Sequence, residues 1–218
     1  MAKKTLAPQQ ERSRESLRKL LKAAAEVLGQ HGVEGTTIPR IAEHAGLTPG
    51  AVYRRFHDKE ALLEEVILGI LERQAERTKT GLTPEAAAQI PLTVFAEQVV
   101  NGMVLGYRMN APLLRAIRIF VQGKANTPFW KKATKLEVIS LERVLELFLV
   151  HRKEIKHPDP RVAISMALMM VVSTLTQIIV MPTDLGPLKD FLPKDDLALR
   201  RELTRAFLTY LGVEPKKN

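Results

Sequence analysis

Residues 36–56, TTIPRIAEHAGLTPGAVYRRF, hold two short apolar patterns that break at Gly46 and restart three residues later. A helix of about eight residues is unstable alone, because nucleation costs more than so few hydrogen bonds return. Such helices survive only against a neighbour. The preceding stripe of Leu17, Leu20, Leu21, Ala24, Val27 and Leu28, closed by Gly29 and Gly32, predicts one from about Ser13 to Gly29. Gly46 supplies a left-handed turn residue, Leu47 plugs the core, and Thr48 caps the next helix with Pro49 in its first turn. Ala42 and Ala45 are small, as a steep crossing of two helices requires. This is the construction of a helix-turn-helix, whose second helix lies in the major groove of DNA.

The residues left outside that core fit such a use. Thr36 and Thr37 open the first short helix, where hydroxyls and free backbone N–H groups suit a phosphate. Pro49 and Gly50 keep the front of the second helix slim, so its backbone can approach a groove. Tyr53 and Arg54 lie one turn along, able to reach a phosphate or a base edge. Lys59 stands at the N-terminus of the next helix, where charge and dipole both attract phosphate. Val52 and Phe56 read as core, and Arg55 as solvated.

The stretch from about Ser16 to Val66 closely resembles the DNA-binding domain of the tetracycline-repressor (TetR) family. There a helix, a glycine, a Thr-Thr cap, IA, AG, a recognition helix with YxxF and a Lys-Glu helix start follow in this order. The resemblance implies DNA contacts at Thr37, Arg40, Thr48, Gly50, Tyr53, Arg54 and Lys59. Two departures matter. Pro39 stands where many members have a polar residue, which removes one way of holding a phosphate. Arg54 and Arg55 replace the histidine or other polar residues frequent there, so the target sequence is not inherited.

Every strongly periodic segment reads at helical period, and the chain is expected to be all-α with about nine helices. Beyond the first three, helices are expected after Asp58, from Thr83–Pro84 to about Met109, over Leu113–Gln122, from Phe129 to His151, from Pro160, and over Leu197–Leu211. Residues 182–196 read as loop. The expected division is a helix-turn-helix domain over 1–60, with 1–12 a mobile basic arm, and a larger helical ligand-binding and dimerisation domain over 61–218. The net charge of +9 suits an anionic partner such as DNA. Residues 162–183 carry no charge and are long enough to span a bilayer, but Ser165, Ser173, Thr174, Thr176 and Gln177 favour burial in protein.

Beyond Val66 the resemblance is one of architecture. It implies that the last two long helices pair with those of a second copy as a four-helix bundle, and that helices from about 84 to 153 enclose a ligand. Phe95, Val99, Met103 and Tyr107 recur at four-residue spacing, Phe120 and Trp130 flank the break at 123–128, and Leu141 lies on the helix that follows. Between Glu97 and Glu137 there is no acidic residue, while Arg108, Arg115, Arg118, Lys124, Lys131, Lys132 and Lys135 all lie there. A cation would meet a positive field, so the expected effector is a small hydrophobic molecule, neutral or anionic, with Arg108 or Arg115 as partner. Leu113–Gln122, broken at both ends, is the expected lever.

Enzyme chemistry finds no constellation. The five histidines are scattered, there is no cysteine, and no phosphate-binding glycine loop occurs, so neither metal nor cofactor is expected. The reading is a cytoplasmic, homodimeric repressor that binds a palindromic operator in double-stranded DNA and is released by its effector. The alternatives are an architectural DNA-binding protein without effector and a membrane-associated helical protein.

Overall fold

The computed structural model describes residues 6–214, with side chains from Gln10. Among these the backbone forms nine α-helices and no strand, as the periodicity required. They are α1 (Leu6–Gly35), α2 (Ile38–His44), α3 (Pro49–Tyr53), α4 (Lys59–Thr80), α5 (Pro84–Ala87), α6 (Leu92–Val121), α7 (Pro128–Leu149), α8 (Pro160–Leu175) and α9 (Asp196–Tyr210). A π-helical turn (Thr176–Val180) and a 3-10 segment (Pro182–Phe191) separate α8 from α9. The chain divides into two compact units. One holds residues up to Glu72 together with Pro112–Thr134; the other holds Arg73–Ala111 and the chain from Lys135 onward. The boundary read at residue 60 falls inside α4.

The first unit closes around Leu20, Ala24, Val27, Ile38, Ile41, Ala42, Val52, Leu62 and Val66, all buried. Each fully buried Leu, Ile or Val contributes about 1.5–3 kcal/mol, which is what lets helices of seven and five residues persist. Gly29 does not end α1: it sits mid-helix, where an added Cβ would lie 3.5 Å from Cβ of Leu113. The interruption comes at Gly32, with φ of 65°. Residues 6–12 are helical, with Pro8 in the first turn and good helix formers behind it. The first five residues of the expected arm lie outside the described residues.

The second unit is built on Phe148, whose ring lies 4.7 Å from Phe95 and 5.2 Å from Phe207. Leu92, Val100, Val104, Ile164, Val171, Leu175 and Leu211 complete this core. Several sequence-based boundaries move here. The helix opened by Thr83 stops at Ala87, because Pro91 disfavours helical backbone at Ile90. A new helix, α6, then runs without a break to Val121 and carries Pro112 inside it, so Leu113–Gln122 is not a separate helix. A proline costs about 3 kcal/mol in a helix interior. Burial of Val100, Val104, Ala116 and Phe120 along α6 outweighs it. The segment 182–196 is wound into 3-10 turns up to Phe191, with a break at Gly186.

The span Pro160–Val180 is long and apolar enough to cross a membrane. One face, with Ala163, Ile164, Ala167, Leu168, Val171 and Leu175, belongs to the second unit's core. The other exposes Val162, Met166, Met169 and Met170.

Candidate nucleic-acid interface

The α2–α3 pair is set by its caps. The Thr37 hydroxyl accepts the Arg40 N–H at 3.4 Å, and the Thr48 hydroxyl accepts the Ala51 N–H at 3.3 Å. Pro39 and Pro49 fall in the first turns, where the missing N–H is not needed. Between the helices Gly46 takes φ of 66°, and the Leu47 N–H donates back to the Ala42 carbonyl at 2.8 Å. Asp58 caps α4 by accepting the Ala61 N–H at 2.7 Å.

Thr37, Arg40, Thr48, Pro49, Gly50, Tyr53 and Arg54 are all exposed on these consecutive elements. Tyr53 is 54% exposed, although a tyrosine gains by burying its ring. Gly50 has no structural requirement of its own: its backbone is helical, and an added Cβ would meet nothing within 4 Å. The missing side chain therefore leaves backbone bare toward solvent. Arg40 is steadied by a hydrogen bond from Nη1 to the Gly35 carbonyl. The Lys59 ammonium donates to the Val33 carbonyl at 3.2 Å and is half-buried, closing the end of α1.

Thr36 departs from the expected set. It is fully buried; its hydroxyl donates to the Gly32 carbonyl at 2.5 Å and its N–H to Val33. Its hydroxyl and N–H both serve to seal the break after α1, and it has no side-chain surface for a phosphate. Arg55, read as solvated, is exposed, and it also bonds from Nη2 to the carbonyl and hydroxyl of Ser13 at 3.3 and 3.2 Å. A second tie joins α2 to α1, where His44 Nε2 meets Glu26 Oε2 at 2.8 Å. This bond, ahead of nearby Lys22, holds the Glu26 carboxyl below its ordinary range. Neither pair could be read from a sequence in which the partners stand 42 and 18 residues apart.

Three of the seven cations of the 97–137 interval, Arg108, Lys124 and Lys132, meet carboxylates from elsewhere in the chain. Arg108 donates from Nε and Nη2 to Asp196, both at 2.8 Å. Lys124 bonds to Glu60 and, at 3.3 Å, to Glu64, while lying 4.5 Å over the Phe120 ring. Burial is the largest influence on Lys124 and pushes its pKa down, but the two carboxylates outweigh it and the net shift is upward. Lys132 approaches Glu72 at 3.5 Å. The unbroken positive field expected from the local sequence is therefore absent at Arg108, Lys124 and Lys132.

The expected pocket residues are shared between the two units. Phe95, Val99, Met103, Tyr107, Arg108 and Leu141 belong to the second unit, while Arg115, Phe120 and Trp130 belong to the first. Phe95 is buried against Phe148, and Phe120 packs edge-on to Phe129 at 6.2 Å; both are core. Leu141 and Trp130 are exposed. Val99, Met103 and Tyr107 keep a partly covered face. Among the described residues no cluster of three or more metal-ligating side chains forms.

Fold and surface together define a class: an all-helical protein with an N-terminal helix-turn-helix unit. Residues 20–66 match the family described as bacterial regulatory proteins, tetR family. It is similar to the HTH-type transcriptional repressor KstR2 of Rhodococcus jostii, 30% identical over 84 residues, or 37% of this chain and 41% of that protein. It is also similar to the HTH-type transcriptional regulator BetI of Cronobacter sakazakii, 24% identical over 147 residues, 67% of this chain and 70% of that one. The match to KstR2 thus spans about two fifths of that relative's length. A TetR-family transcriptional regulator from Mesorhizobium loti superposes with a TM-score of 0.67 at 19% identity, over 92% of this chain and 97% of that one. FadR from Bacillus subtilis, solved in complex with stearoyl-CoA, superposes at 0.57 and 20% identity, over 88% and 98%. At these identities the likeness is one of fold.

Proposed function

We propose that the protein is a cytoplasmic, ligand-responsive transcriptional repressor that binds a near-palindromic operator as a homodimer. The observation that carries this reading is the exposed face of α2 and α3. There Thr37, Arg40, Thr48, Tyr53 and Arg54 surround bare backbone at Gly50, which no packing demand explains. Phosphate contacts from the threonines, Arg40 and Lys59 position the unit, and Tyr53 and Arg54 reach the base edges or neighbouring phosphates. The functional division runs near residue 60, with the helical remainder serving effector and partner.

The partner is a second copy seated on the exposed Val162, Met166, Met169 and Met170 stripe of α8 together with the outer face of α9. Two-fold symmetry then presents two recognition helices to successive major grooves. This gives the uncharged helix a protein environment on both faces instead of lipid. The effector is a small hydrophobic molecule, neutral or anionic, lying along Val99, Met103 and Tyr107. The stearoyl-CoA bound to FadR, an apolar chain with an anionic head, favours that class. The lever is the end of α6 and the 123–128 link, tied to α4 through Lys124, Glu60 and Glu64.

Selection of bound duplexes from a random pool tests this reading. The expected result is a two-fold symmetric site, bound two chains per duplex and released by a hydrophobic acid or neutral compound in a screen. Equal affinity for selected and random duplexes at physiological salt refutes it. Specific binding that no compound relieves points instead to an effector-free architectural protein.

A further inference from the structure

The first turns of α1 reach past the core they belong to. The buried face of α1 begins at Leu20, with Leu17 half-covered; toward the N-terminus the same face carries Ser13 and Gln10, and residues 10–15 are all exposed. From Gln10 to Glu15 this exposed overhang measures about 7.5 Å at 1.5 Å per residue. This stretch continues the backbone of α1 but adds no burial of its own. Arg55 ties it to the end of α3 through the two bonds to Ser13. Arg55 directly follows Tyr53 and Arg54, so the clamp keeps the overhang beside the far end of the α3 surface.

The charge on this overhang is unequal. Residues 10–19 carry Arg12, Arg14, Arg18 and Lys19 against Glu11 and Glu15. Glu15 is answered within the helix by Lys19 at 3.0 Å. Arg12 and Arg14 are exposed and stand about 100° to either side of Ser13, the residue turned to α3. Two guanidiniums thus flank the point where α1 meets the recognition surface.

We propose that the start of α1 is a second DNA-contacting element, in which Arg12 and Arg14 grip backbone phosphates just outside the half-site that α3 reads. The inference rests on the reading of α3 as the recognition helix and adds a contact that carries affinity without sequence preference. It implies a footprint longer than α2 and α3 alone would cover, by a few base pairs on each side.

The test uses the full chain and the duplex selected from a random pool, in two lengths: one with long flanks and one trimmed flush with the half-sites. The double variant Arg12→Gln, Arg14→Gln keeps helix formers at both positions, and circular dichroism checks that the fold is retained. On the long duplex, affinity should fall about tenfold, and the log–log salt slope should flatten by about 0.9 for each phosphate no longer neutralised. On the trimmed duplex wild type and variant should bind alike, and the preference for selected over random duplex should be unchanged. A variant matching wild type in affinity and slope on the long duplex overturns the inference and leaves the α3 reading standing. A wild type that does not prefer the selected duplex removes both.

Discussion

Gly50→Ala separates what the fold needs at the second position of α3 from what a bound duplex needs. The backbone there is helical, and a methyl group would meet no other part of the protein within 4 Å. Alanine in place of a helical glycine stabilises by about 0.4–1 kcal/mol, mainly by narrowing the unfolded ensemble. For a chain of this length that raises Tm by about 1–4 °C. Against a duplex pressed to the same backbone the methyl group is overpacked, at roughly 1–3 kcal/mol. That corresponds to a loss of about 5- to 150-fold in affinity. The two effects have opposite signs, so no general damage to the fold can imitate them. Differential scanning fluorimetry reads the first and fluorescence anisotropy with the selected duplex reads the second. Undiminished binding by Gly50→Ala would refute the close approach of α3 to DNA, and a lowered Tm would refute the open space at Gly50.

The two adjacent threonines should behave differently. Thr36→Val leaves the Gly32 carbonyl without its bond and should cost about 1–3 kcal/mol in denaturant melts, with affinity per folded molecule unchanged. Thr37→Ala should cost about 0.5–2 kcal/mol as a lost cap and also weaken operator binding. On α8, Met169→Arg should yield soluble monomer by sedimentation, because Met169 is exposed in one chain. Ile179→Arg, at a buried position, should instead prevent folding, and dimeric Met169→Arg would contradict the proposed interface. Glu26 titrates below its ordinary range through its bond to His44, so its contribution is present above about pH 4.5 and is lost as pH falls through the lower folded value. Glu26→Gln should therefore flatten the acid side of the stability–pH curve below that point, and an unchanged acid limb would show that the bond adds nothing.

Local physics carried the helix-turn-helix. Caps at Thr37 and Thr48, prolines in first turns and a left-handed Gly46 each act within four residues, so a short window of sequence suffices to place α2 and α3. The same locality explains the misplacements. Gly29 and Pro112 look like helix stops because each disfavours helix by about 1–3 kcal/mol, and only burial along α1 and α6 shows that packing outweighs them. Thr36 and Thr37 look alike in sequence, yet the turn at Gly32 faces one inward and the other to solvent.

Charge was the property most poorly served by local reading. A count of acids between residues 97 and 137 cannot include Asp196, Glu60, Glu64 or Glu72, which reach Arg108, Lys124 and Lys132 only once the chain is folded. The field around a site depends on distances in space, whereas helical period, capping and turn chemistry depend on distances along the chain. The caps and the turn of α2 and α3 were therefore legible within residues 37–59, while their packing on α1 was not. The division into two units, the burial of Phe95 and Phe120, and the clamp of Arg55 on Ser13 were decided by tertiary structure, because each joins residues whose separation along the chain no local pattern encodes.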